Sequence, residues 1–115
     1  MAIQDWSDEI TVVDLGSDPL FTDELTGLTE QLEDKPTDVV LNFAAVSFIN
    51  SSNIAKLLKL RKTMLAIKHR LIMCGINADV WGVFGVTGLD KIFTFTNDIS
   101  TALATLQLPA KERSS

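Results

Sequence analysis

The chain has 115 residues, 46% hydrophobic and 22% charged, with a net charge of −5, which fits one globular domain that buries its own core. A single cysteine, Cys74, excludes a disulfide framework and a thiolate metal cluster within one chain, and suits a reducing compartment. No apolar run approaches the roughly 18 residues that span a bilayer, and residues 1–6 lack the basic start and apolar core of a leader, so a cytoplasmic protein without membrane insertion is expected.

The first strand expected is residues 10–15, Ile10-Thr11-Val12-Val13-Asp14-Leu15, which is short and β-branched. Residues 2–6 can pair with it as a hairpin through Ser7 and Asp8. Gly16-Ser17-Asp18-Pro19 is a turn cluster. Residues 20–32 then place Leu25, Leu28 and Leu32 at helical spacing, with Thr22 or Asp23 as caps and Asp34-Lys35-Pro36 as the stop. Val39-Val40-Leu41-Asn42-Phe43-Ala44 is a nearly continuous apolar run, the mark of a strand covered on both faces.

The longest helix is expected over residues 52–69. Leu57, Leu60, Met64 and Ile67 form its apolar stripe, widened by Ile54, Leu58 and Leu65. A second apolar strand, residues 70–74, closes at Gly75. A short helix over residues 79–84 starts at Asn77 or Asp79, covers core with Trp81 and Phe84, and ends at Gly85 and Gly88. Residues 91–95 read as a strand. Asn97 and Asp98 cap a last helix carrying Ile99, Ala102, Leu103 and Leu106, and residues 109–115 read as a frayed polar tail.

Strand–helix alternation predicts a small α/β domain with mostly parallel central strands covered by helices. Right-handed crossovers put the strand C-terminal ends along one edge, where open α/β sheets bind ligands and partners. The segment Asn50-Ser51-Ser52-Asn53 falls at that edge.

Charge is divided along the chain. Residues 1–38 hold eleven acidic side chains and one basic one. Residues 39–78 hold none acidic and six basic: Lys56, Lys59, Arg61, Lys62, Lys68 and Arg70. The basic set is either a solvated helix face or a patch for an acidic partner or phosphate. Nucleic acid is not expected, because the whole chain is acidic and no aromatic stacking set accompanies the lysines.

The chain offers no enzyme. The sole histidine, His69, suits a last-turn cap. There is no G-x-S-x-G elbow or P-loop, and Gly82, Gly85 and Gly88 lack the dinucleotide pattern. Asp14 and Asp18 have no second acidic cluster or histidine to complete a metal site. No catalytic residue, metal or cofactor is therefore assigned, and a nucleotide- or phospho-metabolite-binding enzyme of similar shape is the least favoured class.

Ser51 and Ser52 remain. One of them can simply cap the helix, contributing on the order of 1 kcal/mol. The other reading is a phosphate acceptor: a helix start gathers unpaired N–H groups and the positive dipole end. Lys56 and Lys59 lie at i+4 and i+7 from Ser52, on its face. Phosphate there would change a contact surface without unfolding the domain.

Three stretches resemble the STAS domain, in particular the small bacterial anti-sigma factor antagonists. Val39-Val40-Leu41-Asn42-Phe43-Ala44-Ala45-Val46-Ser47-Phe48-Ile49-Asn50-Ser51-Ser52 resembles the family's apolar strand and Asp-Ser-Ser/Thr-Gly loop. Arg70-Leu71-Ile72-Met73-Cys74-Gly75-Ile76 resembles its next strand, and residues 83–93 its short helix, Thr-Gly-Leu turn and final strand. The resemblance runs over roughly residues 8–107 and implies one STAS domain, residues 1–108. It implies about four to five strands, mostly parallel, under about four helices.

It further implies no catalysis and a partner-switching cycle. The unphosphorylated form would bind an anti-sigma factor that is also a serine kinase, phosphorylation at Ser52 (with Ser51 beside it) would release it, and a PPM-type phosphatase would reset the cycle. Asn50, Ser51, Ser52, Asn53, Lys56 and Lys59 would form the partner surface. Asn50 stands where the family usually has Asp, and Asn53 where it usually has Gly, placing a side chain where a kinase approaches closely. The Gly16-Ser17-Asp18 loop matches the family's Gly-x-Leu-Asp pattern imperfectly. The alternative is a constitutive STAS scaffold or accessory subunit of a signalling or lipid-transport complex, in which the serines only cap.

Overall fold

The apolar run predicted to be covered on both faces is the spine of the molecule. In the computed structural model, which describes residues 3–107, it forms β3 (Asp38–Ala45) at the centre of a five-stranded sheet. The other strands are β1 (Ile3–Asp5), β2 (Ile10–Gly16), β4 (Leu71–Cys74) and β5 (Thr94–Thr96), in the order β1-β2-β3-β4-β5. β1 pairs antiparallel with β2, and every other pair is parallel. The helices are α1 (Leu20–Asp34), α2 (Ser51–Ile67), α3 (Ala78–Thr87) and α4 (Ile99–Gln107).

Alternation along β3 divides the core. Val39, Leu41 and Phe43 lie in a large cluster with Phe21 and Leu25 of α1, Leu57 and Met64 of α2, and Phe84 of α3. Val40 turns to the other face, where Ile72, Ala102 and Leu106 form a smaller cluster under α4. Phe43 meets Phe21 and Phe84 edge-on, with ring centroids 6.0 Å apart in each pair. Cys74 is buried as a small apolar residue, and desolvation pushes its thiol up to about 11.

Several expectations are corrected. The buried stripe of α2 is Asn53, Leu57, Leu60 and Met64. Leu58 and Leu65 each follow a buried position by one residue, a rotation of about 100°, and are exposed. α3 runs through Gly82 and Gly85 and stops only at Gly88, whose φ of 77° is left-handed. Packing of Val80 and Phe84 against the core overrides weak propensity there. Trp81 remains exposed with its ring edge against Phe95. Residues 89–91 form a 3₁₀ turn that buries Leu89, which delays β5 to Thr94.

The His69 side chain does not cap α2, although its backbone N–H donates to the Met64 carbonyl at 3.1 Å. The helix ends at Lys68 in the left-handed region, and His69 Nδ1 lies 3.0 Å from Asp38 Oδ1. Asp38 also accepts from Arg70 N and Nη2, and Nη2 donates to the Leu106 carbonyl, tying the starts of β3 and β4 to the end of α4. No described helix is long and apolar enough to cross a membrane. The predicted boundary at residue 108, the tail 109–115 and Ala2 of the hairpin lie outside the described residues.

Candidate functional site at the start of α2

Parallel strands bring the loops after β2, β3 and β4 to one edge, and side-chain bonds lock them together. Ser47 N donates to Ser17 Oγ (3.2 Å), and Asn77 Nδ2 donates to the carbonyls of Val46 (2.9 Å) and Ser47 (3.4 Å). Asn77 also caps α3 by accepting from Val80 N at 2.8 Å.

Neither serine caps α2. Asn50 is the N-cap: its Oδ1 accepts from Asn53 N at 2.9 Å, and Asn53 Oδ1 accepts from Asn50 N at 3.1 Å. Two amides thus close a reciprocal capping box, in which the N3 carbonyl does the work usually given to Glu or Gln. Ser51 and Ser52 occupy the first two helical positions, both exposed, with their hydroxyls released from the capping role. Lys56 Nζ donates to Ser52 Oγ at 3.2 Å. α2 itself carries no acid in this first turn, so the positive end of the helix dipole and an ammonium both lie beside the Ser52 hydroxyl.

Asn53 is only 2% exposed. Its side chain lies beneath the surface on which a partner contact was expected. Besides closing the box, its Nδ2 donates to Asp18 Oδ2 at 2.8 Å. Asp18 Oδ1 in turn accepts from Thr22 N (3.1 Å) and Thr22 Oγ1 (2.8 Å). Asp18, two positions before α1, is therefore that helix's side-chain cap, and neither Thr22 nor Asp23 holds that role. One carboxylate links the starts of both helices.

The hydrogen bond from Asn53 is the largest cause, with those from Thr22, holding the Asp18 carboxyl below its ordinary 3.8. The folded value lies below the unfolded one, so the linked stability is present above pH 3.8 and is lost as pH falls through the folded value. Denaturant unfolding of wild type and Asp18→Asn should accordingly show a gap at neutral pH that narrows on acidification below 3.8.

Of the residues expected at the site, Asn50, Ser51, Ser52 and Lys56 lie together at the start of α2. Lys59 lies one turn further along α2. Beside it runs a groove of ≈ 380 Å³ between α1 and α2, lined by Leu25, Thr26, Thr29, Glu30, Ala55, Lys56 and Lys59. Two large apolar side chains flank the edge, Phe48 at 62% and Leu20 at 57% exposure. Ser17 and Asp18 were not assigned to the site from the sequence, where only the turn cluster of residues 16–19 signalled them, and Phe48 was read only as part of the stretch leading into the serine pair. Among the described residues, no group of three or more His, Cys, Asp or Glu side chains could hold a metal ion.

Comparison with known proteins agrees with this fold. Similar folds include an anti-sigma-factor antagonist domain protein from Planctomyces limnophilus, with TM-score 0.79 and 16% identity over 92% of this chain and 97% of that one. A serine-to-glutamate variant of RsbS from Moorella thermoacetica gives 0.79 and 16% over 91% and 92%. The Bacillus cell fate determinant SpoIIAA, in its phosphorylated form, gives 0.72 and 17% over 91% and 97%. At such identities the likeness is one of fold. Residues 11–102 match the STAS domain, and the chain belongs to the STAS domain family.

Proposed function

We propose that this protein is a non-catalytic, cytoplasmic partner-switching regulator of the bacterial anti-sigma factor antagonist type, built on one STAS domain of residues 1–108. Unmodified, it binds an anti-sigma factor that is also a serine kinase, through Asn50, Ser51, Ser52, Lys56 and Lys59. Phosphorylation at Ser52 releases that partner, and a PPM-type phosphatase restores binding. The observation that carries this reading is the division of labour at the helix start. Asn50 and Asn53 do all the capping, so the exposed Ser52 hydroxyl is available to a kinase with Lys56 already 3.2 Å away. The buried Asn53 leaves the approach open despite replacing the family's usual glycine.

A constitutive scaffold has one observation in its favour: Leu58 and Leu65 are exposed along a cationic helix. Binding to the cognate kinase separates the two readings. A switch predicts a complex that forms with ADP and dissociates with ATP, whereas Ser52→Ala stays bound in both. A wild-type complex indifferent to ATP would favour the scaffold.

A further inference from the structure

The two helices that border the groove carry opposite charge. The exposed side of α1 holds Asp23, Glu30, Glu33 and Asp34, and the helix has no cation. α2 holds Lys56, Lys59 and Lys62 and no acid, while its Arg61 turns away from the groove to donate to the Ile92 carbonyl at 3.3 Å. Both helices return from parallel strands on the same sheet face, so they lie side by side and point the same way. Glu30 and Lys59 line the groove from opposite helices, and among the described residues neither makes an ion pair. The groove offers a partner a modest apolar lining. Leu25 and Ala55 contribute to it, and Thr26 and Thr29 spend their hydroxyls on the carbonyls of Thr22 and Leu25, each at 2.9 Å.

Such a face is complementary to itself. A two-fold axis parallel to the helices and above the groove lays α1 of one copy on α2 of the other. Symmetry then lays α2 on α1, so a negative row meets a positive row twice. The perpendicular in-plane axis would stack α1 on α1 and α2 on α2, which like charge disfavours.

We propose that the α1/α2 face is an isologous interface for a second copy of this chain, which supplies its Glu30 to the Lys56 and Lys59 side of the groove. The dimer does not depend on the phosphoswitch reading. One consequence does: because Lys56 donates to Ser52 Oγ, the second copy and a kinase would compete for the same ground.

Sedimentation equilibrium of the full chain tests this interface. The expected result is a reversible dimer that weakens as salt rises, and that is lost in Glu30→Lys alone and in Lys59→Glu alone. Circular dichroism should leave both variants as folded as wild type, since both positions are exposed. The decisive arm mixes the two variants in equal amounts. The two reversed charges then face each other across one half of the interface, and the native Lys59 and Glu30 face each other across the other half. A heterodimer should therefore form where neither variant self-associates. A wild type that stays monomeric at every concentration and low salt would overturn the proposal and point the face at an acidic partner protein. A dimer indifferent to both reversals, or a mixture that stays monomeric, would overturn it equally.

Discussion

Phe43→Ala should destabilise the domain by about 3–5 kcal/mol, a large share of the roughly 5–15 kcal/mol that holds a domain of this size together. Phe43 is fully buried on the central strand and is the ring that joins α1 to α3 through its contacts with Phe21 and Phe84. Truncation removes the transfer energy of the ring and leaves a void that three elements would have to collapse together to fill. Collapse is resisted because β3 is hydrogen-bonded to β2 on one side and β4 on the other. Chemical denaturation should show a lowered midpoint with little change in slope. A loss below about 1 kcal/mol would mean that the large cluster repacks freely around the missing ring, contrary to the close packing of Phe43 against Phe21 and Phe84.

Ser52→Asp should have the opposite profile: partner binding weakened about tenfold or more, with stability within about 0.5 kcal/mol of wild type. The two effects separate because Ser52 is exposed and caps nothing. A carboxylate at the second helical position meets the positive dipole end and lies at i, i+4 from Lys56, both favourable by a few tenths of a kcal/mol. Within an interface the same charge must be desolvated against whatever the partner placed over a neutral hydroxyl. Thermal unfolding and calorimetric titration with the kinase measure the two halves. An unfolded Ser52→Asp protein would refute a surface switch, and unweakened binding would remove Ser52 from the contact.

Which features could be read in advance follows from the range of the physics involved. β3 was recognisable because a strand buried on both faces must be apolar at successive positions, whereas of the two glycines read as ending α3 only Gly88, in the left-handed region, stops it. The alternation of strands and helices was enough to place the helix start after β3 at the edge formed by the strand C-terminal ends.

Long-range polar contacts were out of reach. Asn53 and Asp18 are 35 residues apart, and nothing local marks the amide of one as the partner of the other's carboxylate. The capping box was hidden for a related reason. Adjacent serines looked like the natural caps, whereas an asparagine at the third helical position can reach back only when the preceding loop is already held in place. The excess of leucine along α2 gave the same kind of difficulty. Leu58 and Leu65 are as apolar as Leu57, and only packing decides which of them faces the sheet.

The most direct measurement is intact mass of the protein after incubation with its cognate kinase and ATP, made in parallel on wild type, Ser51→Ala and Ser52→Ala. The expected result is one added phosphate on wild type and on Ser51→Ala, and none on Ser52→Ala. A phosphate retained by Ser52→Ala, or a wild-type protein that gains none, would contradict the assignment of Ser52 as the switch.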